Sequence, residues 1–180
     1  MENPAPAGFS LFQGVPMTGQ PQKILILGVG NILYTDEGVG VRAVEKLLET
    51  YDFSDNVTLM DGGNLGMRLM QPLMDADYCI VLDAVLGGDV PGTIYRFTGE
   101  DLRKSLAFKD SMHQSDLVDT LIYCELVGKR PDTVVIGMEP HDFKNMSIEL
   151  SEVVAARLPA MLDIALKELT EAGGVATPKA

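Results

Sequence analysis

Scarcity sets the first limits on this chain. It has no tryptophan, and only two cysteines and two histidines among 180 residues. Cys79 and Cys124 stand far apart and neither belongs to a CxxC pair, so a zinc knot or a disulfide scaffold is not indicated. Cys79 lies in an apolar, strand-like run and reads as a small buried hydrophobe. Cationic residues are also few: 14 Lys and Arg face 26 Asp and Glu, a formal net charge of -12. That balance favours solubility and makes nucleic acid and anionic membrane surfaces poor partners; a cationic peptide tail or a metal-bearing partner fits better. No stretch approaches the roughly 18 uncharged apolar residues that suggest a membrane span. The start lacks the basic residues and apolar core of a secretion signal. A cytoplasmic protein is expected.

Against these absences, hydrophobic residues make up 46% of the chain, enough for the core of one ordinary domain. The organising stretch runs from Lys23 to Gly40. Ile24 to Leu27 form a continuous apolar run, which suits a parallel strand buried on both faces. Gly28 and Gly30 allow a sharp turn at its carboxyl end. Asp36 and Glu37 then precede a helix expected from about Asp36 to Tyr51, marked by Val39, Ala43, Val44, Leu47 and Leu48. Ligand sites in open α/β sheets commonly lie at this edge. The glycines are not a dinucleotide fingerprint. Leu33 stands where a third glycine is required, and no acid follows the second strand at the required distance. Two carboxylates at the helix start would also repel a pyrophosphate. No Lys-Ser or Lys-Thr pair is present, which excludes a phosphate-binding P-loop.

The remainder alternates strand and helix. Asp52 to Asn56 reads as a polar connection. Strands are expected at Val57 to Met60, Tyr78 to Leu82, Thr93 to Phe97 (an edge strand) and Thr133 to Ile136. Helices are expected near Leu65 to Leu73, Leu102 to Ala107 and Leu117 to Leu126, with a last one from about Ser147 to Ala172. Ser147 or Ser151 is suited to cap that last helix, and Pro159 is expected to kink or restart it. Such alternation predicts an α/β fold with a sheet covered on both faces. Residues 1–22 are expected to be a loosely ordered extension, 23–173 one domain, and 174–180 a frayed end.

Three side chains stand out as candidate metal ligands. Glu37 follows the first strand, Asp83 ends the third, and His113 lies in a later polar loop, with His141 as the competing histidine. Two carboxylates and one imidazole suit a divalent transition ion and leave positions open for water or substrate. The alternative for each acid is a solvated or helix-capping carboxylate, and for His113 an ordinary loop histidine.

The ordered motifs GVGNILYTDEGVG, MDGG, VLDAV and MHQSD closely resemble those of the hydrogenase maturation endopeptidases, over nearly the whole of 23–173. The resemblance implies a twisted, mainly parallel five-stranded sheet flanked by helices on both faces. It implies removal of a C-terminal peptide from the nickel-loaded large-subunit precursor of a nickel–iron hydrogenase, by enzymes classed with the aspartic-type peptidases. The family's metal-contacting glutamate, aspartate and histidine map onto Glu37, Asp83 and His113. Its DGG motif maps onto Asp61, Gly62 and Gly63, expected to position substrate. The nickel is then part of the substrate rather than a resident cofactor, although another divalent ion can take its place in a crystal. Glu37 or Asp83 would act in hydrolysis, beside an ion that polarises the scissile carbonyl or activates water. The opposing expectation is a non-catalytic nickel-sensing chaperone or checkpoint protein for the same precursor.

Overall fold

The computed structural model describes residues 21–63, 66–98 and 114–180. Residues 1–20 of the expected extension, the helical turn expected at 102–107, and His113 lie outside the described residues.

Strand β1 (Ile24–Val29) is buried at every position. It lies between β3 (Val57–Gly63) and β4 (Tyr78–Ala84), both parallel to it. β4 pairs in parallel with β6 (Asp132–Met138), and β6 pairs antiparallel with the edge strand β5 (Ile94–Thr98). The sheet order is β3-β1-β4-β6-β5. This is the mainly parallel five-stranded sheet expected, with β5 at the edge as its weaker alternation suggested.

Helices cover both faces. On one, Val39, Val44 and Leu47 of α1 (Val39–Thr50) and Met161, Ala165 and Leu169 of α4 (Glu152–Glu171) pack on Ile24, Ile26, Ile80, Leu82 and Ile136. On the other, Leu73 of α2 (Met70–Asp75) and Leu117, Leu121 and Cys124 of α3 (Gln114–Val127) pack on Leu25, Leu27, Cys79 and Val81. Truncating one of the fully buried leucines to alanine costs about 2–5 kcal/mol in such cores.

Several boundaries differ from expectation for local reasons. The first helix does not begin at Asp36: Thr35–Gly38 form a short 3-10 turn, and α1 starts at Val39. α4 starts after Ser151, whose hydroxyl accepts from the Val154 N–H, and it runs through Pro159 without a restart. The end of the chain is not frayed as expected. Strand β7 (Ala176–Pro178) pairs antiparallel with β2 (Tyr51–Phe53), which overlaps the expected polar connection. Ser54 and Val175 lock this ribbon: the Ser54 N–H donates to the Val175 carbonyl, and the Val175 N–H donates to the Ser54 hydroxyl. Strands of three residues carry too little alternation to be visible in a sequence.

Candidate active site

The carboxyl edge of the central strands is built for close approach. A Cβ at Gly40 would lie 2.0 Å from the Leu82 carbonyl oxygen and 2.4 Å from that of Val29. Only glycine lets the first turn of α1 rest directly on the ends of β1 and β4. Gly30 has φ +134 and carries the chain away from β1, and its missing Cβ leaves room for the Glu37 carbonyl. The 3-10 turn with Glu37 is thereby seated over the end of β4, where Asp83 stands.

Asp83 is 1% exposed. Its Oδ1 accepts the Ala84 N–H at 2.8 Å. Its Oδ2 is buried and has no hydrogen-bond partner among the described residues. Burial pushes this carboxyl well above the usual range; the Ala84 hydrogen bond opposes that shift, and the charge of Glu37 adds to it. Burial of this kind disfavours the charged form of the acid, and a nearby cation would favour it.

Asp61 pairs with Gly28 across β3 and β1, and Leu82 pairs with Gly28 from the other side. Asp61 and Asp83 therefore lie near the carboxyl ends of the two strands that flank β1, with backbones roughly 10 Å apart from the strand spacing. Alternation separates their side chains. Residue 83 belongs to the row of Cys79 and Val81 on the α2–α3 face, and residue 61 to the row of Val57 and Leu59 on the other. Asp61 is exposed, and its Oδ1 accepts the Gly63 N–H at 2.8 Å within the last residues of β3. Gly63 has φ +43, and a Cβ there would be 3.7 Å from Asp61 Oδ1. Gly62 serves the packing beneath the rim, since a Cβ there would be 2.7 Å from Leu27 Cδ1. The structure thus brings Glu37 and Asp83 together, with Asp61 further along the same rim. α3 begins at Gln114, immediately after His113, and packs on the same face as the Asp83 row. It runs down to β6, which starts at the amino edge, so its first turn lies at the carboxyl rim. His141 is exposed, with its backbone N–H on Asp36.

Two acids at this rim carry functions that the sequence did not announce. Asp36 is fully buried and accepts four hydrogen bonds, from the backbone N–H groups of His141, Asp142 and Ser151 and from the Ser151 hydroxyl. Glu139, at the end of β6, accepts from the Gly87 and Gly88 N–H groups at 2.7 and 3.1 Å and from the Tyr95 hydroxyl at 2.7 Å. It ties down the loop that leaves β4 just after Asp83. Burial, then the neighbouring carboxylates of Glu139 and Asp89, push the Tyr95 phenol up. No local pattern could have revealed Asp36, whose partners lie 105 to 115 residues away. For Glu139 the only hint was an acid directly following a buried strand.

Among the described residues, no three His, Cys, Asp or Glu side chains form a group able to hold a metal ion. Cys79 and Cys124 are free and buried, and burial pushes both thiols up. No helix among the described residues is long and apolar enough to cross a membrane.

Comparison with known proteins agrees with this geometry. Residues 41–168 match the family model described as HycI, hydrogenase maturation protease. The chain is 42% identical over 165 residues to the hydrogenase expression/formation protein HupM of Azotobacter chroococcum mcd 1, covering 91% of this chain and 79% of that protein. It is 35% identical to the hydrogenase 2 maturation protease of Escherichia coli strain K12, covering 87% and 96%. Its fold superposes on the hydrogenase maturating endopeptidase HybD from E. coli with a TM-score of 0.83 at 36% identity, over 87% of this chain and 98% of that one. The chain thus belongs to the hydrogenase maturation protease family, the endopeptidases of hydrogenase maturation.

Proposed function

We propose that Glu37 and Asp83, together with His113, read nickel carried by the precursor, and that the enzyme then removes the precursor's C-terminal peptide. The observation that carries this reading is the buried Oδ2 of Asp83, unpartnered among the described residues, beside Glu37 at the carboxyl rim. A dication delivered there would offset both carboxylates and lower the cost of ionising Asp83. Carboxylate and imidazole ligands can complete the coordination of an ion whose thiolate ligands stay with the precursor. Nickel is in this reading part of the substrate.

The same pair of acids would serve metal-assisted hydrolysis in an enzyme of the aspartic-type peptidase class. With the ion polarising the scissile carbonyl, the carboxylate of Glu37 or of ionised Asp83 accepts a proton from the attacking water. The exposed Asp61 and half-buried Gly63 at the end of β3 would align the extended substrate chain beside them, with Gly62 holding that turn against Leu27. A domain spanning 23–173 contains every element this scheme uses. Free, buried Cys79 and Cys124 fit a reducing, cytoplasmic setting.

The test is incubation of the purified protein with nickel-loaded and nickel-free precursor, followed by mass measurement of the large subunit. Release of the C-terminal peptide from the loaded form alone is expected. Equal release from both would reject nickel gating. Tight binding of the loaded form with no release would favour the non-catalytic checkpoint.

A further inference from the structure

Among the described residues, Thr35 is the only non-glycine with positive φ, at 44°. A β-branched residue is disfavoured there, because its side chain crowds the backbone. Glycine or asparagine would make the same turn with less strain. The surroundings hold Thr35 in place all the same. Its N–H donates to the Ser147 carbonyl at 2.9 Å and its hydroxyl to the Asn145 carbonyl at 2.8 Å. The Asp36 N–H donates to the Asp142 carbonyl at 2.9 Å. Arg42, one turn into α1, donates to the Ile148 carbonyl at 2.7 Å.

The Asp36 carboxylate completes the attachment. Oδ1 accepts from the Ser151 N–H at 2.7 Å. Oδ2 accepts from the Asp142 N–H at 2.9 Å, the His141 N–H at 3.0 Å and the Ser151 hydroxyl at 2.8 Å. One short turn is thus fastened to the whole segment from the end of β6 to the start of α4. The next residue is Glu37. Strain that its neighbours over-determine, directly beside a working group, points to a conformation kept for function.

We propose that Thr35 and Asp36 are positioning residues: the segment 141–151 clamps them so that Glu37 is aimed at Asp83 in its working geometry. The inference rests on the reading of Glu37 given above. It goes further in assigning a role to Thr35, Asp36 and Ser151, none of which need touch substrate. A clamp of this kind acts on the chemical step, because a misaimed carboxylate still leaves the docking surface intact.

The test is a split of kcat from KM on nickel-loaded precursor, with thermal unfolding of each variant alongside. Thr35→Gly removes the crowding and the side-chain tether. It is expected to fold with a Tm within a few degrees of the parent, to keep KM within about twofold, and to lose at least about tenfold in kcat. Asp36→Asn exchanges one acceptor oxygen for a donor against the same N–H groups and should show the same split. Ser151→Ala removes one donor to Asp36, and Ser151→Thr retains it; the alanine variant should lose several-fold in kcat and the threonine variant should recover it. Should Asp36→Asn not fold, Thr35→Gly and the Ser151 pair decide alone. Glu37→Gln is the control that separates the two ideas. If Glu37→Gln is inactive while folded Thr35→Gly and Ser151→Ala turn over at the parental rate, the clamp is rejected and the Glu37 reading stands. If Glu37→Gln cleaves normally, both fall.

Discussion

Asp36 and Asp83 stand at the same rim, are almost equally buried, and are employed in opposite ways. Asp36 receives four hydrogen bonds, and both its oxygens are occupied. Asp83 receives one, and its second oxygen has no partner among the described residues. Burying a carboxylate is costly unless donors compensate it. Where compensation is complete, the acid has become part of the scaffold. Where it is withheld, a buried acceptor is left without a partner among the described residues. The difference separates an acid whose hydrogen bonds hold the fold from one left with an unpartnered oxygen, the feature on which the proposed role of Asp83 rests.

Substitutions should separate the two acids cleanly. Asp36→Ala strands four donors and should destabilise the protein by on the order of 3 kcal/mol or more. Asp83→Asn keeps an oxygen for the Ala84 N–H and removes a carboxyl that the site already disfavours. Its stability should change by about 1 kcal/mol or less, whereas cleavage of nickel-loaded precursor should fall by about 100-fold or more. Denaturant melts and the processing assay on both variants check this. Equal stability losses would erase the contrast, and full cleavage by Asp83→Asn would remove Asp83 from the mechanism.

A third buried acid sharpens the comparison through pH. Glu168 of α4 accepts from Arg96 of β5 through both oxygens and from the Tyr78 hydroxyl. The Arg96 hydrogen bonds hold its carboxyl below the usual 4.5, against the opposing effect of burial; Lys167 adds a smaller pull. A lowered folded-state value means that the native state binds the proton less readily than the unfolded chain. The stability this contributes is therefore present above about pH 4.5 and is lost as pH falls through the lowered value. Tyr78 responds in the other direction, its phenol pushed up to about 12 by burial and by Glu168. Glu168→Gln should lower Tm at neutral pH and converge with the parent in acid. A difference that stays constant with pH would show that the carboxylate's charge is not what matters.

The smallest effect belongs to the ribbon of β2 and β7. Removing residues 175–180 deletes β7 and its ties to Thr50 and Ser54. A two-stranded pairing is marginal alone, so the loss should be about 1 kcal/mol, with cleavage unchanged. A processing defect in this truncation would extend the working region far beyond the rim.

How much of this was legible from the residues follows from distance along the chain. Ile24 to Leu27, Tyr78 to Leu82 and Thr133 to Ile136 announce themselves, because a strand buried on both faces must be apolar throughout. Their parallel order then places Glu37 and Asp83 at one rim. The helix signals were readable for the same reason: one apolar face repeats every turn. What escaped was every feature made by a single long-range contact. Asp36 looks like any acid at a helix start until Ser151 is folded against it. Arg96 and Glu168 are 72 residues apart, and nothing near either marks the pair. Thr35 gives no hint of positive φ, since threonine is a poor residue for that conformation.

The ribbon also fixes where the protein can be held. β2 follows the end of α1 and precedes β3, so it and β7 lie at the amino edge of the sheet, opposite the rim of Glu37 and Asp83. A dye, an affinity handle or a surface attached beyond Pro178 is therefore pointed away from the rim of Glu37 and Asp83. Anchoring through that end leaves the rim free and in one orientation, which suits single-molecule or biosensor tests of the proposed docking.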